Sequence, residues 1–266
     1  MKKQIVGILG LGTMGTAIAD GLLRSGWAQR VLGTRKKTAL APDTQERPAL
    51  ELLASNRELA QRSDIIVLAV KPHQARAVVS EIAGELQGKT LISVLAAIES
   101  ADLEAWAPGC QIVRTMPNTP CLIGAGMTVI ARGATSAPEA LALTEQLFAP
   151  LGRTAVVDEA LMDAVTGLSG CGPAYVFLMI EALSEAGVKL GIDRKTSTLL
   201  AAQTLLGGAQ MVLQRGEHPA KLKDEVTTPA GCTVDALMAL EDGRLRSTLI
   251  RGVVAGAERS KSLRAQ

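Results

Sequence analysis

The sequence predicts an α/β protein: an N-terminal Rossmann-like dinucleotide-binding domain over residues 1–157, then an all-helical domain suited to dimerisation over 158–266. Three observations predict it. A short apolar stretch rich in β-branched residues, Gln4–Leu9, runs at once into Gly10-Leu-Gly-Thr-Met-Gly15. Strand and helix signals then alternate up to residue 157. From Asp158 on the strand signals stop and the periodicity is helical almost throughout.

The first strand and the helical pattern over 16–24, closed by Ser25-Gly26, give G-x-G-x-x-G the setting that makes it meaningful. Gly10 allows the tight turn, Gly12 lets backbone approach a pyrophosphate, and Gly15 lets helix pack on sheet, with Leu11, Thr13 and Met14 completing the cradle. A second strand is expected at 28–32. An NAD-preferring fold usually carries an acidic residue about 20 residues after the glycines. Here the segment is Gly33-Thr-Arg-Lys-Lys37, without a carboxylate. Thr34, Arg35 and Lys36 suit a 2′-phosphate, with the guanidinium also able to stack on adenine. NADPH is therefore expected ahead of NADH.

Residues 63–72 read as a turn, a parallel-type strand and a stop at Pro72. Ligands lie outside the carboxyl ends of such strands, so Ala69, Val70, Lys71 and Pro72 should face the cofactor. Lys71 either reaches a ribose or phosphate or is a solvated strand end. Further strands are expected at 90–95, 111–116, 127–131 and 152–157. The loop Arg114-Thr-Met-Pro-Asn-Thr-Pro120 puts Asn118 at a strand end, within reach of cofactor or substrate.

In the C-terminal half, Val165-Thr-Gly-Leu-Ser-Gly-Cys-Gly-Pro173 has three glycines in six residues running into a proline. Proline is favoured at the first position of a helix. Ser169, Gly170, Cys171 and Gly172 are thus expected to form a tight loop feeding a helix N-terminus. There free N–H groups and the positive dipole end would seat a small carboxylate; a plain interhelical turn would read the same way. Val226-Thr-Thr-Pro-Ala-Gly-Cys-Thr-Val-Asp235 is a second such approach. Thr233 is the expected N-cap and Asp235 complements the dipole in the first turn. Helices are expected at 173–189 (stopped by Gly191), 194–215, 233–240 and 245–263. Leu199-Leu-Ala-Ala-Gln-Thr-Leu-Leu206 is apolar on more than one face, and a helical domain this small has little interior in which to bury it. Burial against a second copy follows, so at least a homodimer is expected, with Gly207-Gly-Ala209 permitting close helix contact.

Composition excludes several classes. The 266 residues are 47% hydrophobic, enough for a real core, but only 2% aromatic, which removes base stacking. Net charge is +2 with no long basic run, so nucleic acid is not an expected partner. The start lacks a signal-peptide pattern, and no uncharged apolar run reaches about 18 residues. A cytoplasmic protein with no membrane span is expected. Four cysteines form no C-x-x-C pair and two histidines stand far apart, so neither a zinc site nor a Ser-His-Asp triad is expected.

These residues resemble the pyrroline-5-carboxylate reductase family over almost the whole chain. The resemblance is carried by GLGTMG, Asn56 in Leu-Ala-Ser-Asn-Arg-Glu-Leu, AVKP at 69–72, MPNTP at 116–120, GLSGCGPAYVF and VTTPAGCT. It implies hydride transfer from NADPH to the C=N carbon of 1-pyrroline-5-carboxylate, giving L-proline. It implies that the substrate carboxylate sits on the N–H groups of Gly231, Cys232 and Thr233. The Thr233 hydroxyl would stand near the ring nitrogen, and Asn56 would contact the cofactor. Dimers through an intertwined helical domain, often in rings, are implied as well. The chain departs from the pattern at Cys171 (commonly Ser), Cys232 (commonly Thr), Ala97 and Ala230 (both commonly Gly). If residue 230 needs a positive φ, its alanine is strained. The chemistry suits the residues: an iminium carbon accepts hydride without a strong protein acid, and orientation supplies much of the rate. A reductase of another small cyclic imine carboxylate is the alternative enzyme. A non-catalytic cofactor sensor would require loss of Ser169, Thr233 and Asn118, and all three are present.

Overall fold

The computed structural model describes residues 4–35, 49–132 and 136–263. The chain folds as two compact units, Met1–Cys171 with Ala255–Gln266, and Gly172–Val254. The sequence reading put its division at 157/158, where the last strand ends.

The first unit is built on β1 (Gln4–Leu9), α1 (Thr13–Arg24), β2 (Ala28–Thr34), β3 (Leu50–Leu52), α2 (Asn56–Arg62), β4 (Ile65–Leu68) and α3 (Pro72–Glu81). It continues through β5 (Thr90–Ser93), α4 (Ser100–Trp106), β6 (Gln111–Met116), β7 (Gly126–Arg132), α5 (Pro138–Phe148), β8 (Gly152–Asp158) and the short α6 (Met162–Val165). The eight strands form one sheet in the order β3-β2-β1-β4-β5-β6-β7-β8. Every neighbouring pair is parallel except β6 with β7. The first six strands thus have the doubly wound nucleotide-binding order, whose direction reverses between β1 and β4.

Both sheet faces are covered, which is why its strands read as continuous apolar runs. Val6, Ile8, Val67, Ile92 and Ile130 pack beneath α1 and α5 with Ile18, Leu22, Leu147 and Phe148. Leu9, Ile66, Leu68, Leu91 and Ile112 face the other way, against Leu59, Val79 and Leu103 of α2, α3 and α4. Lys89 closes one end of this layer. Its Nζ donates to the carbonyls of Ala60, Gln61 and Ser63, a cation on the C-terminal carbonyls of α2.

Several boundaries differ from expectation. The glycine-turn helix starts at Thr13, because Gly12 is already its N-cap. β4 stops at Leu68, four residues before Pro72. The three-residue β3 carries too little pattern to be read from sequence.

The second unit comprises α7 (Gly172–Lys189), α8 (Arg194–Arg215), α9 (Pro219–Glu225), α10 (Cys232–Asp242) and the start of α11 (Leu245–Leu263). Gly191 ends α7 at φ 93°, as its position predicts. α7 and α8 approach closely where Gly187 meets Ser197: a Cβ on Gly187 would fall 2.6 Å from the serine Oγ. Ser184 and Thr198 share a 2.9 Å hydrogen bond beside it. The unit has scarcely any apolar interior. Among its described residues, Ala201 and Leu222 are the buried hydrophobics, while Phe177, Leu178 and Leu199 are each at least 63% exposed.

The helical stretch Glu159–Lys189 is long and apolar enough to cross a membrane by length and composition. Scattered charges hid it from a search for uncharged runs. Within it, Asp163 is buried and accepts a 2.9 Å hydrogen bond from Ser260.

Candidate functional site

In the first unit, the described ones among the predicted cofactor residues gather around the switch between β1 and β4. Gly10 has φ 98°, and a Cβ there would lie 2.9 Å from the backbone of Ala69 and Val70. Glycine is required both by conformation and by the approach of the two strand ends. The N–H groups of Gly10 and Leu11 donate to the Thr34 carbonyl at 3.0 and 2.9 Å. The Leu11 side chain fills the space a Cβ on Gly33 would occupy, 2.3 Å away. The turn is therefore clamped to the end of β2. Gly15 is equally constrained, since its Cβ would fall 2.2 Å from the Gly10 carbonyl oxygen.

Gly12 is different. Nothing lies within 4 Å of where its Cβ would be. It caps α1 without a side-chain bond, and no acidic residue stands in the first turn. The leading N–H groups of α1, from Thr13, Met14 and Gly15, point out of an uncapped helix end beside an open glycine, which fits a pyrophosphate.

At the neighbouring strand end, the buried Thr34 donates its hydroxyl proton to Asn56 Oδ1 at 2.8 Å. Asn56 Nδ2 donates in turn to Glu81 Oε2 at 2.9 Å. Asn56 opens α2, whose N-cap Ser55 accepts from the Glu58 N–H. Arg35 follows Thr34 directly, and Lys36 lies outside the described residues. Across the switch, Lys71 is the exposed N-cap of α3 and Pro72 its first residue.

Asn118 is engaged internally. Its Oδ1 accepts from the Met127 N–H at 2.8 Å and its Nδ2 donates to the Ser169 carbonyl at 3.3 Å. The side chain thus ties the turn after β6 to the segment around Ser169.

That segment is not the loop expected from its glycines. Thr166–Gly170 forms a π-helical turn continuing α6, and the Cys171 N–H donates to Thr166 O at 2.8 Å. α7 then begins at Gly172. Glycines in a row can open a loop, but they equally tolerate a widened helical turn, and here Met116 and Thr166 pack against Gly170. The N–H of Cys171 is consequently consumed within the turn.

In the second unit, the approach to α10 has the expected form with a shifted register. Gly231, not Thr233, is the N-cap, so Thr233 stands second in the helix. The cap moves because Pro229 and Ala230 turn the chain two residues earlier: Ala230 has φ 59° and the Gly231 N–H closes on Thr228 O at 3.0 Å. A Cβ on Gly231 would lie 2.4 Å from Thr228 Oγ1. Among the described residues the N–H groups of Cys232 and Thr233 have no acceptor, and no side chain caps the helix. This end of α10 can receive one small anion through two donors rather than the three expected.

One arrangement went unread in the sequence. Arg114, on β6 and only 1% exposed, pairs with Glu159 at 2.9 Å. Glu159 Oε1 also accepts from the Ser100 N–H at 2.7 Å, and its other oxygen accepts from the Ser100 hydroxyl. Burial pushes the Glu159 carboxyl upward, but the hydrogen bonds from Ser100 and Arg114 and the arginine charge outweigh it and hold the group below its usual 4.5. The latch fixes α4 just after Ala97, which has φ 61°. An arginine inside an apolar strand run was the available signal.

The comparisons with known proteins follow this geometry. Residues 159–263 match the family model for pyrroline-5-carboxylate reductase dimerisation, and residues 5–97 match NADP oxidoreductase, coenzyme F420-dependent. The chain is 42% identical to the pyrroline-5-carboxylate reductase of Glycine max, covering 98% of this chain and 97% of that one. It is 37% identical to that of Methanosarcina acetivorans, covering 99% of each. Among solved structures, the Plasmodium falciparum pyrroline carboxylate reductase with NADP bound superposes with a TM-score of 0.88 at 34% identity, over 99% of both chains. The Coxiella burnetii pyrroline-5-carboxylate reductase gives 0.91 at 33% identity, over 98% of this chain and 99% of that one.

Proposed function

Since the chain belongs to the pyrroline-5-carboxylate reductase family, we propose that it reduces 1-pyrroline-5-carboxylate to L-proline with NADPH. The observation that carries this reading is likeness over the full length, both to named reductases and to an NADP-bound structure of the same fold. NADPH supplies the hydride. Gly10 to Gly15 hold the pyrophosphate, Thr34, Asn56 and Ala69 to Pro72 border the ribose and nicotinamide side, and Arg35 and Lys36 take the 2′-phosphate. On the substrate side, the N–H groups of Cys232 and Thr233 hold the carboxylate. Ser169, Gly170, Cys171, Gly172 and Gly231 are the further substrate-side residues of this reading, and Asn118 holds Ser169 in position. The imine nitrogen is protonated first and hydride then adds to the iminium carbon, so positive charge at the ring falls; the Thr233 hydroxyl is the group this reading puts near that nitrogen. Orientation carries much of the barrier reduction, and no histidine or paired carboxylate is needed.

We further propose a homodimer. Its support is the outward apolar surface of the second unit and the dimerisation model that matches it. Gly207 and Gly208 have open space around them and suit a partner helix. Rings of such dimers, a cytoplasmic location and a functional division at 157/158 belong to the same proposal.

The test is NADPH oxidation with 1-pyrroline-5-carboxylate, beside Thr233→Ala and direct NADP⁺ binding. Turnover that Thr233→Ala weakens supports both halves of the reading. NADP⁺ binding without turnover would overturn the substrate assignment and direct attention to other cyclic imine carboxylates.

A further inference from the structure

Glu81, the last residue of α3, takes no part in the site assigned so far, yet it terminates the polar chain that begins at Thr34. An ionised carboxylate can only accept hydrogen bonds. Glu81 Oε2 lies 2.9 Å from Asn56 Nδ2, so the NH₂ end of that amide must face the carboxylate. The amide oxygen is thereby turned toward Thr34 Oγ1, 2.8 Å away. An amide oxygen carries no proton, so the one proton of the Thr34 hydroxyl is committed to Asn56. Only lone pairs remain on Thr34 Oγ1 for anything bound at the end of β2.

This is the strand end at which Rossmann-type sites meet the adenosine ribose. A free 2′-hydroxyl can donate to the Thr34 lone pairs, whereas a 2′-phosphate has nothing to donate. For Thr34 to serve a phosphate, its proton must leave Asn56, and the amide oxygen then loses its partner beside a residue only 7% exposed. We propose that Glu81 is a positioning residue for cofactor choice: acting through the Asn56 amide, it makes Thr34 a reader of the ribose 2′-hydroxyl and so weakens this chain's preference for the 2′-phosphorylated dinucleotide. The proposal rests on the reading of the first unit as a dinucleotide site. Arg35 and Lys36 pull toward the phosphate, and the Glu81 relay pulls the other way. One neutral hydrogen bond corresponds to a change of about 5-fold in the affinity ratio.

The test measures dissociation constants of NADP⁺ and NAD⁺ by calorimetry for the whole protein, Glu81→Leu and Glu81→Gln, and for Thr34→Val alone and with Glu81→Leu. Leucine removes the acceptor and frees the amide to turn. Glutamine removes the charge and offers both an acceptor and a donor, so it no longer forces one orientation on the Asn56 amide. The expected result is a ratio moved about 5-fold toward NADP⁺ by Glu81→Leu, a shift in the same direction and no larger for Glu81→Gln, and no effect of Glu81→Leu when residue 34 is valine. A Glu81→Leu shift that persists with valine at 34 would make the effect one of charge alone and overturn the relay. An unmoved ratio in Glu81→Leu, with both dinucleotides bound by the parent, would overturn the proposal and leave the cofactor site standing. Failure of the parent to bind either dinucleotide would overturn both. Backbone bonding at Glu81 does not depend on its side chain, since Arg57 donates to its carbonyl oxygen at 3.2 Å; thermal unfolding of each variant checks that the fold is kept.

Discussion

Glu159→Ala should be among the most damaging single changes outside the glycine turn. The truncation leaves the Arg114 guanidinium, 1% exposed, without its counter-charge, and its Nε is already a buried donor without a partner. It also strips the Ser100 N–H and hydroxyl of their acceptor. Breaking a buried ion pair from one side costs about 3–5 kcal/mol. The Glu159 side chain keeps 21% exposure, and water can reach part of the vacated space, so the low end, about 3 kcal/mol, applies. That lowers the melting temperature by roughly 6–12 °C for a chain of this size. The assay is thermal unfolding at neutral pH and fixed protein concentration. Replacing both partners, Arg114→Met with Glu159→Leu, should recover most of the loss, because the desolvation of two charges disappears with the pair. The pH dependence has a definite sign. The folded carboxyl titrates below its ordinary 4.5, so its contribution is complete above that value and fades as pH falls through the folded pKa. Glu159→Gln should therefore flatten the acid limb of the stability curve. A Glu159→Ala loss below about 1 kcal/mol, or a double variant no more stable than the single one, would refute the reasoning.

Other outcomes follow from single positions. Ala97→Gly and Ala230→Gly should each raise stability by about 0.5–1 kcal/mol in denaturant titrations, since both alanines sit at positive φ and the relief exceeds the added chain entropy. Gly10→Ala should abolish dinucleotide binding measured by calorimetry, because φ 98° and the backbone of Ala69 and Val70 leave no room for a methyl group. Lys89→Met should cost about 1.5–3 kcal/mol, read by urea unfolding, as the C-terminal carbonyls of α2 lose a charged donor. Its KM for NADPH should stay unchanged.

The sequence by itself determined what depends on local stereochemistry and period. Glycine at 10, 12 and 15 between strand and helix, the apolar runs of a sheet covered on both faces, and the change to helical periodicity after residue 158 are properties of short windows. Strain at residue 230 followed from the sequence only on the condition of a positive φ, which the structure supplies at 59°. Tertiary structure decided what depends on partners far apart in the chain. Whether 166–171 opened as a loop or closed as a π turn was settled by packing on Met116 and by the bond from Asn118 to Ser169, 51 residues away. The capping position of α10 moved from the expected Thr233 to Gly231 because the turn closes on Thr228. Arg114, Glu159 and Ser100 lie on three separate elements, as do Thr34, Asn56 and Glu81. A hydrogen-bonded chain of that kind leaves no periodic mark, because its members owe their types to each other's atoms and not to the local backbone.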